Sequence, residues 1–116
     1  MPRKTPLFEA PPYAVEQRLV RLGADLRMAR VRRKLTIAEV AEKIGTGVRA
    51  VADAEKGKVS TGIAVYVALL WAYGLLDHLA DVADPARDVE GQRLALSREK
   101  KRARLGKAGG GIDNDF

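Results

Sequence analysis

Residues 97–107, SREKKRARLGK, set six lysines and arginines against one glutamate, a density of cations whose natural counterpart is phosphate. As a helix this segment presents a dense positive surface, and as an irregular arm it follows a groove or a backbone; both forms bind nucleic acid without regard to sequence. Side chains suited to covalent chemistry are scarce. Cysteine is absent, so neither a disulfide framework nor a thiolate metal site is available. The one histidine, His78, has no nucleophile or metal-ligand cluster at a motif spacing, and the only serines are Ser60 and Ser97. Residues 107–111 lack both the spacing and the preceding strand of a phosphate loop. The sequence points away from an enzyme, and no cofactor or metal is expected.

The cations are unevenly placed. Residues 1–34 carry nine Lys/Arg against three acids, residues 35–84 four against seven, and residues 85–116 eight against five. A mildly acidic centre thus lies between two basic flanks, so attraction to phosphate must come from the flanks and from a few local groups. That centre is also the best-marked part of the chain. Thr36-x-x-Glu39 is a capping box that opens a helix, and Ile37, Val40, Ala41 and Ile44 follow at a 3.6-residue period until Gly45 supplies a turn. A second helix runs from about Val48 to Lys56 and ends at Gly57. Ala41 where the helices cross, Gly45 in the turn and Val51 beneath the second helix are the spacing of a helix-turn-helix.

Around this pair the chain reads as helical throughout. A first helix is predicted over about 15–33 with Leu19, Leu22, Leu26 and Ala29 inward, and a fourth over about 63–73. The fourth helix is assigned Ile63, Tyr66, Val67, Leu70 and Tyr73 as its core face. A short fifth runs from Asp77 to about Ala83, closed by Asp84-Pro85, and a sixth spans about 88–105 with Gly106 as its stop. The domain plan is a flexible N-terminal arm (1–14), a helical domain (15–84) and a basic tail (85–116), helical in part and loose beyond the glycines at 109–111. The apolar run 63–76 is shorter than the roughly 20 residues that span a bilayer, and the proline-rich residues 2–12 have no apolar core of a signal peptide. A cytoplasmic protein with no membrane partner is expected.

The triplet Ala41, Gly45, Val51 and its flanking helices resemble the Cro/C1-type domain, the XRE family, over roughly residues 19–83. That resemblance implies an all-α, five-helix lambda-repressor-like DNA-binding domain, here with a basic C-terminal extension, whose second motif helix lies in the major groove of double-stranded operator DNA. Base-reading positions carried over are Gly47, Val48, Arg49, Ala52 and Asp53, with Arg49 able to donate two bonds to guanine. Phosphate contacts are expected from the helix starts at Thr36 and Gly47 and from Arg33, Lys34, Lys43, Lys56 and Lys58. Ile37 stands where the family commonly has a phosphate-bonding glutamine. The resemblance also implies an ion pair between Arg30 and Glu55.

Ala64, Ala68, Trp71 and Leu75 form a second apolar face on the fourth helix and are the expected homodimer interface. The leucine-rich end at 74–79 followed by the basic tail is similar to HipB-type antitoxins, which repress their own operon and bind a HipA-like kinase toxin. In that reading Ile112 and Phe116 dock in the partner. The alternative is a protein-interaction adaptor that keeps the domain as scaffold and binds nucleic acid only nonspecifically.

Overall fold

A computed structural model describes residues 5–109, with side chains as far as residue 106, and every regular element among them is a helix. The four N-terminal residues of the expected arm, and the expectations for residues 110–116, lie outside the described residues. Two compact units divide after Asp77.

The first unit contains α1 (Pro6–Glu9), α2 (Tyr13–Arg32), α3 (Ile37–Ile44), α4 (Val48–Glu55) and α5 (Ile63–Ala72). One turn of helix, α1, forms within the stretch expected as an arm because Thr5 caps the Phe8 amide and Pro6 sits at the first helical position. The core lies among α2, α3, α4 and α5. Leu26, Val40, Val51 and Leu69, one from each helix, are fully buried, each contributing about 1.5–3 kcal/mol of transfer free energy. Ala29, Ala41, Ala54, Tyr66 and Tyr73 complete the buried set, with Leu19 and Leu22 packed against it. Helix α4 packs on α2, α3 and α5, so the second helix of the motif is held from three sides.

Four helix ends share one mechanism. After α3, Gly45 (φ 78°) lets the Thr46 amide reach the Ala41 carbonyl while its own amide reaches Glu42. Gly57 (φ 71°) and Gly74 (φ 73°) do the same after α4 and α5. These are Schellman closures, which require a left-handed residue. After α2 that residue is Lys34, at φ 56°, with the Leu35 amide bonded to the Arg30 carbonyl at 3.3 Å. A left-handed side chain costs about 1 kcal/mol. Lys34→Gly is therefore expected to raise unfolding stability by about 0.5–1 kcal/mol in urea denaturation, part of the gain being lost to the freer unfolded chain.

Two glycines let α2 and the end of α4 meet backbone to backbone. A Cβ on Gly23 would lie 2.5 Å from the Ala54 carbonyl oxygen, and one on Gly57 would lie 2.3 Å from the Leu19 carbonyl oxygen. Gly45, by contrast, has open space around it. The turn glycine serves only conformation; the close approach is made elsewhere.

Helix α5 is rotated from its expected setting. Tyr66, Leu69 and Tyr73 are buried, whereas Ile63 is 71% exposed and Val67 and Leu70 are only partly covered. The helix is apolar on every side, so its pattern does not select a face. Polar anchors do: the Tyr66 hydroxyl donates to the Lys58 carbonyl at 2.9 Å, and Arg33 donates to the Tyr73 carbonyl at 2.8 Å.

In place of the predicted fifth α-helix, the chain forms a 3-10 helix over Leu76–Asp81, the tighter geometry that such short segments commonly adopt. Within the second unit, α6 (Val89–Gly109) begins where Asp88 accepts the Gly91 amide at 2.9 Å. It does not stop at Gly106. One interior glycine costs about 1 kcal/mol, and the alanine, arginine, leucine and lysine around it are good helix formers.

Candidate nucleic-acid interface

Helices α3 and α4, joined through the left-handed Gly45, are a helix-turn-helix whose second helix turns its inner side, Val51 and Ala54, to the core. Its other side carries the residues that could meet a base. Gly47 is the N-cap with no side-chain bond to the helix amides, and Val48 and Arg49 beside it are exposed. Ala52 and Asp53, one turn further along, are partly buried. The accessible end of α4 is thus its amino end, where unpaired amides and the helix dipole favour an anion.

Asp53 is held in place rather than free. Its carboxylate pairs with the Lys58 ammonium at 3.3 Å, and its carbonyl accepts the Lys58 amide. One base-reading candidate and one phosphate candidate therefore neutralise each other.

The start of α3 is also partly occupied. Thr36 Oγ1 accepts the Glu39 amide at 3.0 Å, and the Glu39 carboxylate accepts the Thr36 amide at 2.9 Å. The bond from the Thr36 backbone foremost, and then the Thr36 hydroxyl, hold the Glu39 carboxyl below its ordinary range. The remaining free amides at this end are those of Ile37 and Ala38, beside a fixed negative charge.

Two of the cations assigned to phosphate face a helix end instead. Arg33 donates to the Ala29 and Tyr73 carbonyls, both at 2.8 Å, and its guanidinium lies 5.5 Å from the Tyr73 ring centre. Lys43 reaches the Ala72 carbonyl at 3.5 Å and sits 5.8 Å from the Trp71 ring centre. Both place positive charge at the carboxyl end of α5, where the last carbonyls and the dipole favour it. Lys34 and Lys56 are exposed at the ends of α2 and α4.

The carboxyl end of α4 is clamped to α2. Arg30 donates through Nε to Glu55 Oε2 at 2.7 Å and through Nη2 to Oε1 at 3.1 Å, while Nη1 reaches the Leu35 carbonyl at 2.9 Å. The two side chains are 12% and 5% exposed, and the bonds Arg30 donates to Glu55 raise the Arg30 pKa. Above this pair the Tyr73 hydroxyl is buried with no hydrogen-bond partner among the described residues. Burial, and then the Glu55 charge, push its pKa up.

On the outer face of α5, Ala64 and Trp71 are exposed and Ala68 is partly covered, while Leu75 packs against the core. Gly23 escapes a reading of motifs alone, although a glycine inside a leucine-rich helix is a signal in itself, because it weakens the helix and so has a packing reason.

A helix-turn-helix with a clamped carboxyl end and an open amino end on its second helix defines a DNA-binding regulator. A family model described as Helix-turn-helix domain matches residues 21–83, more than half of the chain, and the chain belongs to that family. No curated protein and no solved structure shows significant similarity to it. No helix among the described residues is long and apolar enough to cross a membrane.

Proposed function

We propose that this chain is a sequence-specific, cytoplasmic transcriptional repressor that acts on its own operon as a homodimer. The observation that carries the reading is the open amino end of α4, with Gly47, Val48 and Arg49 exposed on a helix fixed from three sides. In the complex, Arg49 reads guanine, Val48 meets a thymine methyl, and the α4 amides hold a phosphate. A two-fold dimer through Ala64, Ala68, Trp71 and Leu75 sets two such helices one turn of DNA apart. The half-exposed Trp71 supports that surface. A HipA-like kinase, to which the chain is antitoxin, is the protein partner in this reading.

A second reading is favoured by the pairing of Asp53 with Lys58 and by the seats of Arg33 and Lys43 on α5. With those groups occupied at home, the domain is an interaction scaffold with only nonspecific nucleic-acid binding.

Footprinting on the DNA upstream of the chain's own gene separates the two. The repressor protects a two-fold-symmetric site, and Arg49→Ala is expected to weaken that site about 10-fold to 100-fold, the worth of a bidentate guanine contact at 1–3 kcal/mol. Binding to unrelated sequences is expected to change far less. Protection without a site, indifferent to Arg49, is the outcome of the scaffold.

A further inference from the structure

Helix α6 carries a second cluster of cations, remote in sequence from the helix-turn-helix. We propose that its basic face is a sequence-blind grip on the phosphate backbone of duplex DNA. Every described side chain at 92–105 is exposed, so this helix has no core of its own to serve. At 3.6 residues per turn, Arg93, Lys100, Lys101 and Arg104 fall within about 100° of its circumference, while Glu99 lies on the far side. Glu90 pairs with Arg93 on an exposed surface, a weak, solvent-screened pairing that phosphate readily displaces.

The arrangement is unfavourable without an anion. Lys100 and Arg104 are like charges one turn apart, a spacing that destabilises a helix. The face runs about 17 Å along the helix axis from Arg93 to Arg104, and one DNA strand presents a phosphate about every 3.4 Å of duplex. Duplex DNA is thus the polyanion whose charge density matches. The grip goes beyond the operator reading and does not require it, because a backbone contact carries no sequence information.

The test uses the full chain and a labelled 20-base-pair duplex of arbitrary sequence, with anisotropy titrations between 50 and 200 mM NaCl. For the variant R93Q/K100Q/K101Q/R104Q, the slope of log K against log salt is expected to shrink by about 3.6, close to 0.9 for each of four phosphates no longer neutralised. A compensated variant also carries E9Q/E16Q/D25N/E42Q, which returns the chain to its net charge of +6 without rebuilding the face. Its slope is expected to stay low. A parental slope in the first variant, or recovery of that slope in the compensated one, overturns the proposal; recovery would mean that net charge alone governs binding. Absence of an operator footprint leaves this readout unaffected, so failure of the repressor reading and failure of the grip are distinguishable.

Discussion

Gly57→Ala is expected to cost about 3 kcal/mol or more, a large share of the 5–15 kcal/mol that holds a domain of this size together. Two penalties add. The backbone at Gly57 has φ 71°, which costs an alanine about 1 kcal/mol, and the new methyl would meet the Leu19 carbonyl oxygen at 2.3 Å. The obstacle is backbone, so no side chain can rotate away; α2 and α4 must separate. Gly23→Ala meets the Ala54 and Glu55 carbonyl oxygens at 2.5 and 2.6 Å, and its gain in helix propensity of about 1 kcal/mol offsets only part of that. Gly45→Ala is the control: it carries the left-handed penalty in open space and is expected to cost about 1 kcal/mol. Urea unfolding followed by circular dichroism measures all three. If Gly57→Ala costs no more than Gly45→Ala, the two helices do not depend on the glycine contact.

These glycines show what the sequence disclosed and what it withheld. The limits of α3 and α4 were legible because local chemistry sets them: the capping box at Thr36 and Glu39, and the left-handed closures at Gly45 and Gly57. The stripe on α2 was legible because Leu19, Leu22, Leu26 and Ala29 recur among polar residues. On α5 the same reasoning had nothing to discriminate, since every side was apolar, and the rotation that buries Leu69 is fixed by the bond the Tyr66 hydroxyl donates to the Lys58 carbonyl and the one Arg33 donates to the Tyr73 carbonyl. Gly23 was legible only in part, for a different reason: a glycine in a leucine-rich helix signals a packing need, but the carbonyl that imposes it lies 31 residues away in the chain, which no local pattern records.

The candidate site divides the same way. That Gly47, Val48 and Arg49 stand at the start of a helix follows from the turn before them. Charge alone cannot say what a cation faces, however. Arg33, Lys43 and Lys58 lie near the motif in sequence, yet each has a partner inside the fold: the α5 carbonyls for the first two, and Asp53 for the third. A helix carboxyl end attracts a cation through the same electrostatics as a phosphate, and the nearer anion wins.

Glu55→Ala is expected to cost about 3–5 kcal/mol, because it strands the Arg30 guanidinium in a site only 12% exposed. The loss measures the abandoned charge more than the worth of the pair. Replacing both partners, as in R30M/E55L, removes charge and obligation together and is expected to cost less than Glu55→Ala alone, with only the Leu35 carbonyl losing its donor. Thermal unfolding of R30M, E55L and the double closes this cycle; additive losses would mean that the pair contributes no coupling. The clamp and the glycine contact act on the same end of α4, from Ala54 to Gly57, against the same helix α2. Fixing the carboxyl end leaves the amino end, with Gly47 and Arg49, as the part of the helix open to a partner. In the proposed repressor, variants that keep the fold but loosen this end are therefore expected to lose sequence discrimination before they lose affinity for DNA, since backbone attraction tolerates a tilted helix and the proposed bidentate Arg49 contact does not.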